Sequence, residues 1–125
     1  MTRIFFIALG GALGSVLRYG VQTWLNGAHP LPLGTLAVNV IGCFAIGFLA
    51  GMWMFEPTSV REEYRLAIIV GVLGGFTTFS AFGLETYKLA STRQLTHALL
   101  NITLSVGLGL TATWVGARLA VLFTR

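Results

Sequence analysis

Polar residues along this chain fall in clusters, and long apolar runs separate them. The hydrocarbon core of a bilayer is roughly 30 Å thick and needs about 20 residues of helix to cross it. Four runs are long enough: about 4–25, interrupted only by Arg18; 33–55, without a charge; 66–87, with Glu85 near its end; and 98–123, with Arg118 near its end. The gaps Asn26–Pro32, Glu56–Arg65 and Lys88–His97 hold all three prolines and most of the charge. None has room for a folded domain outside the membrane. The pattern therefore predicts an all-α membrane protein, one four-helix transmembrane domain over residues 1–125. Trp24, Trp53, Tyr64 and Tyr87 fall at span ends, where amphipathic rings settle at the headgroup level, and this predicts an aromatic belt. The start, MTRIFFIALGGALG, has the order of a signal peptide, but its apolar run continues past Arg18 to Leu25 and reads as a first span.

Composition sharpens this picture. Charged residues make up only 10% of the 125 residues, against about 25% in an average soluble domain. So few charges argue against a soluble enzyme or a disordered tail. The net charge of +4 could suggest nucleic acid, but the eight Lys and Arg are scattered singly and form no basic patch. The single cysteine, Cys43, excludes an intrachain disulfide. All but one of the sixteen glycines sit inside the apolar runs, where they let helices approach closely, as in the Gly47–Gly51 spacing. Four spans put the N-terminus, the second loop and the C-terminus on one side. That side holds Arg3, Arg61, Arg65, Arg118 and Arg125, against Arg18, Lys88 and Arg93 on the other. Such a small excess gives weak orientation, so two chains inserted both ways could pair antiparallel about a two-fold axis.

Polar groups in hydrocarbon are costly, so each one inside a span is a candidate site. The third span reads LAIIVGVLGGFTTFSAFGLE, with Gly74 and Gly75 beside Thr77, Thr78 and Ser80. Gly-Gly and Thr-Thr together weaken a helix at mid-membrane, and a break there frees carbonyls, which are hard ligands for a cation. The alternative is an intact helix packed through its glycines. Phe76, Phe79 and Phe82 share a face if the segment is helical, offering positive ring edges to an anion or negative faces to a cation, or plain packing. Thr35 and Asn39 lie one turn apart in the second span. There Asn39 provides either a pathway amide or an interhelical hydrogen bond. Asn101, Ser105, Gly109 and Thr113 form a small, polar stripe in the fourth span, either lining a path or serving helix contact. Arg18 either snorkels to the surface or faces a water-filled vestibule and draws anions. No carboxylate lies in the first, second or fourth span, which argues against proton-coupled transport.

Three segments in order, GGALGSVLRYG (Gly10–Gly20), GTLAVNVIGCFAIG (Gly34–Gly47) and GGFTTFSAFGLE (Gly74–Glu85), resemble the signatures of the Fluc, or CrcB, fluoride channels. The resemblance covers essentially the whole chain. It implies a dual-topology, antiparallel homodimer in the cell (inner) membrane, with a third helix broken at mid-membrane. The implied activity is passive, fluoride-selective export of cytoplasmic fluoride, which confers fluoride resistance. It also implies a structural sodium ion at the dimer centre, held by the backbone carbonyls of Gly74 and Thr77 from each subunit. Phe79 and Phe82 match the family's pore phenylalanines, Asn39 its pore asparagine with Thr35 one turn earlier, and Arg18 its vestibule arginine. Ser80 is the hydroxyl after the first of these phenylalanines, and Glu85 the glutamate ending the third motif. Two departures stand out: Ala81 replaces a common Thr, and the fourth-span polar track would run Asn101, Ser105 and Gly109 where the family often begins with Tyr. The competing reading is a small dual-topology multidrug exporter driven by protons, which would need a glutamate in the first span; a third is an assembly factor without transport.

Overall fold

The computed structural model describes residues 1–27, 29–55 and 60–123. Among the described residues all regular structure is helical, and four helical stretches are long and apolar enough to cross a membrane. The first is α1, Thr2–Leu25, and the second α2, Leu33–Phe55. The third, Glu62–Ser91, is composite. It comprises α3 (Glu62–Leu66), a π-helical stretch (Ala67–Leu73), α4 (Gly74–Phe76) and, after two extended residues, α5 (Phe79–Ser91). The fourth is α6, Leu95–Phe123.

Two spans run longer than the apolar pattern alone predicts. Residues 62–65, 88–91 and 95–97 are helical, although their charged and polar side chains read as loop. A helix satisfies its own backbone wherever it runs, and charges at its ends reach water beyond the hydrocarbon. The loop assignments of Glu56 and Pro57, and the charge of Arg125, lie outside the described residues. The turn between α5 and α6 is tight. Arg93 takes φ 61°, its N–H donates to Ala90 O and that of Gln94 to Leu89 O, which closes the last turn of α5 in a Schellman arrangement.

Two glycine-rich seams hold the spans together. α2 lies against α6 through Gly47, Gly51 and Gly116; a Cβ on Gly51 would stand 2.7 Å from the Ala120 Cβ. α1 lies against the π-helical stretch and α4 through Gly10, Gly14, Gly71 and Gly75, and a Cβ on Gly75 would stand 2.6 Å from Gly11 O. Backbone contact at this range gives dispersion and close packing without large side chains, the pattern of helices associated in lipid. Ile4, Phe5, Leu9, Leu13 and Val16 of α1 point outward, as do Leu99, Val106, Leu110 and Trp114 of α6. So continuous an apolar exterior suits lipid or a partner chain and not water.

The expected belt needs one correction. Trp24, Tyr64 and Tyr87 are exposed at helix ends, but Trp53 is 7% exposed, with the Arg65 guanidinium 5.0 Å above its ring. It packs under a cation between α2 and the third span instead of meeting headgroups. At the same end Arg3 and Glu62 form a 2.8 Å ion pair that joins α1 to α3. Both side chains are exposed, so this pair adds at most about 1 kcal/mol.

Candidate functional site

The third span changes conformation where Gly-Gly meets Thr-Thr. α4 ends at Phe76, Thr77 and Thr78 are extended (φ −79°, ψ 159° and φ −153°, ψ 113°), and α5 begins at Phe79. Such backbone survives in an apolar environment only if its polar groups find partners. The Thr77 N–H and hydroxyl both donate to Leu73 O at 2.9 Å. Asn39 of α2 takes both sides of the Thr78 peptide: Thr78 N–H donates to Asn39 Oδ1 at 2.8 Å, and Asn39 Nδ2 donates to Thr78 O at 3.1 Å. Thr78 Oγ1 accepts from Ala81 N–H at 3.1 Å and so caps α5.

These substitutions leave carbonyls over. In a continuous helix Thr78 N–H would serve Gly74 O; here it turns to Asn39, and Gly74 lies on the exposed face of a cleft. Ala81 N–H would serve Thr77 O; here it turns to Thr78 Oγ1, and Thr77 O meets Arg18 Nη1 of α1 at 3.4 Å. The Gly74 carbonyl therefore fits a cation ligand directly. The Thr77 carbonyl has one lone pair beyond its long contact with Arg18.

Two recesses flank the extended pair, and Thr78 lines both. The larger, about 380 Å³, brings together Asn39, Cys43, Gly74, Phe79, Phe82 and Ser105. The Phe79 and Phe82 rings lie 5.4 Å apart, inclined at 49°, and Phe79 is 83% exposed. Ser105 Oγ of α6 is buried here without a hydrogen-bond partner. The smaller recess, about 340 Å³, brings Arg18 to Ser80, with Gln22 and Tyr19 beside them. The site thus offers a cation and a hydroxyl on one side of the extended pair. On the other it offers two phenylalanine rings, an amide and an unengaged hydroxyl.

Other residues expected at the site lie elsewhere. The interruption takes Phe76 off the aromatic stripe: it is 8% exposed, with its backbone against Gly14 of α1 and its ring beside Gly42 of α2. Thr35 and Glu85 line neither recess. Thr35 Oγ1 donates to Glu85 Oε1 at 2.7 Å, and Glu85 Oε2 is buried without a partner beside a separate hollow that Lys88 and His29 also line. Asn101, 3% exposed, donates to Thr86 Oγ1 at 2.9 Å and ties α6 to α5. Of Asn101, Ser105 and Gly109, only Ser105 reaches the larger recess. Asn39 makes an interhelical bond and lines the recess at once, so its two readings are compatible. Sequence reasoning passed over Gln22, whose Nε2 donates to Thr35 Oγ1 at 3.0 Å. A polar residue one turn after Arg18 in an apolar span was the available signal.

Comparison with known proteins bears on this arrangement. The model of the family described as CrcB-like protein, Camphor Resistance (CrcB), matches residues 5–117. The chain belongs to the CrcB family. A relative named fluoride-specific ion channel FluC from Methylococcus capsulatus is 49% identical over 94% of this chain; the chain spans 52% of that protein's length. The FluC of Rhizobium meliloti is 48% identical over 95% of this chain and 96% of its own length. FluC 2 of Symbiobacterium thermophilum is 42% identical over 91% of this chain and 94% of its own length. Together with its four apolar helices, membership of this CrcB family makes the chain a multi-pass membrane protein.

Proposed function

We propose that this chain is no enzyme but a passive fluoride-selective channel. It works as an antiparallel homodimer in the cell inner membrane, releases cytoplasmic fluoride and so confers fluoride resistance. The names of its relatives support the choice of ion. The observation that carries the pore chemistry is the larger recess. There the rings of Phe79 and Phe82 lie open beside the unpartnered Ser105 hydroxyl. Fluoride holds its water tightly, so a pore must replace that water with donors and positive ring edges, yet release the ion again. Asn39 retains a second amide hydrogen beyond its bond to Thr78 O, and Ser105 retains its hydroxyl hydrogen. Arg18 and Ser80 in the neighbouring recess raise the local anion concentration at the entrance. An inside-negative membrane potential then drives an anion outward without coupling to protons.

The near-equal loop charge and the exposed Phe79 ring support an antiparallel pair, in which a second copy covers the open recess. A structural sodium ion fits that pair: the carbonyls of Gly74 and Thr77 from each subunit would hold it, and Gly74 O has lost its helical donor. Bound there, sodium supplies a fixed positive charge and a cross-link between subunits. The test is fluoride-electrode recording of efflux from liposomes carrying the purified protein. Rapid fluoride release with little chloride release is expected. Release no faster than from empty vesicles, or equal release of chloride, overturns the reading.

A further inference from the structure

Gln22 sits four residues beyond Arg18 on the same face of α1, and both line the recess that holds Ser80. Its Nε2 donates to Thr35 Oγ1 at 3.0 Å, and the Thr35 hydroxyl reaches Glu85 Oε1 at 2.7 Å. Three helices, α1, α2 and α5, thus share one polar chain. Gly34 makes the approach possible, since a Cβ there would stand 2.7 Å from Gln22 Cα. Thr35 is 1% exposed, so water cannot replace a missing partner.

The direction of this chain follows from counting hydrogens. A hydroxyl has one hydrogen and two acceptor positions, and an ionised carboxylate only accepts. With Nε2 toward Thr35, Gln22 gives a hydrogen to the hydroxyl oxygen and leaves the hydroxyl's own hydrogen for Glu85. With its carbonyl there instead, Gln22 would compete with Glu85 for that single hydrogen, and one contact would be repulsive. We propose that Gln22 is a positioning residue for anion passage: it holds the Thr35 hydroxyl as a donor to Glu85. This fixes the Glu85 side chain, whose Oε2 is buried without a hydrogen-bond partner, at the end of a polar chain that starts in the recess holding Arg18 and Ser80. The inference rests on the fluoride-channel reading above.

The test is the unitary fluoride current of reconstituted channels in planar bilayers. A variant that merely folds less often gives fewer channels of unchanged current, so a structural role leaves this quantity alone. Gln22→Met removes the steering donor but leaves Thr35 able to donate, and the current is expected to fall about threefold, the weight of part of one hydrogen bond. Gln22→Glu presents a second acceptor to the one hydroxyl hydrogen, and the current is expected to fall about tenfold or more, as for a bond to a charged group. In a Thr35→Val background, Gln22→Met is expected to change nothing further, because its route of action is gone. Wild-type current in Gln22→Glu overturns the proposal, and so does an undiminished effect of Gln22→Met in the Thr35→Val background. Should those variants fail to assemble, wild-type current in Gln22→Met overturns it alone. Wild-type protein that passes no fluoride overturns the channel reading itself, and this role with it.

Discussion

Asn39 serves two purposes that can be separated by substitution. Its side-chain amide makes both hydrogen bonds of the Thr78 peptide, and Thr78 is 8% exposed. Asn39→Ala leaves a buried N–H and a buried C=O without partners. At about 1–3 kcal/mol for each such group, the loss is about 2–6 kcal/mol, and water entering from the adjoining recess keeps it toward the lower end. Asn39→Asp keeps the acceptor for Thr78 N–H but turns a second oxygen toward Thr78 O, so it sacrifices one bond, about 1–3 kcal/mol. It also places a negative charge in the larger recess. For an anion passing about 5 Å away at an effective dielectric of about 20, the repulsion is about 3 kcal/mol, or a little over a hundredfold in occupancy. Asn39→Asp is therefore expected to be the more stable of the two variants and still to conduct fluoride about a hundredfold more slowly than wild type. Thermal unfolding of the purified protein and fluoride efflux from liposomes read the two effects independently. Fluoride efflux within about twofold of wild type in Asn39→Asp refutes its place beside the ion, given the size of that repulsion. Unchanged stability in Asn39→Ala refutes the clamp.

Two further outcomes follow from the same geometry. Phe79→Ile and Phe82→Ile are each expected to cut fluoride efflux at least about tenfold, as loss of one preorganised electrostatic contact would. Phe79 is so exposed within one chain that its replacement should leave that chain's fold unchanged, and gel filtration checks that the pair still forms; full efflux in both variants sinks the ring-edge role. Arg93 holds a left-handed conformation in the turn after α5, so Arg93→Gly is expected to raise stability by about 0.5–1 kcal/mol, read as a higher unfolding temperature. A lower unfolding temperature would mean that the Arg93 side chain contributes more than its backbone conformation costs.

The four spans were legible because the bilayer imposes a length requirement on local sequence, and no distant residue can relax it. Arg18, Asn39, Phe79, Phe82 and Ser80 stood out for a related reason: a polar or aromatic group inside an apolar run is visible without a partner. Partners were not visible. Whether Thr77 and Thr78 leave the helix depends on Asn39, more than a whole span earlier in the chain, being able to take the Thr78 peptide. Phe76 falls off the aromatic face only because that exchange happens between it and Phe79. Nothing in AIIVGVL announces a π-helical stretch, which is seated against the glycines of α1. By position alone Trp53 reads as a headgroup anchor, yet Arg65 lies over its ring. Asn101 looked like the head of a polar track, yet it is engaged with Thr86. Local chemistry thus determined that this chain crosses the membrane, how many times, and which residue types stand ready for an ion. The tertiary structure decided which of them remain unpaired. A hydrogen bond across helices consumes a polar group, and only the crossing of the helices determines whether Gly74 O and Ser105 Oγ are left over or used.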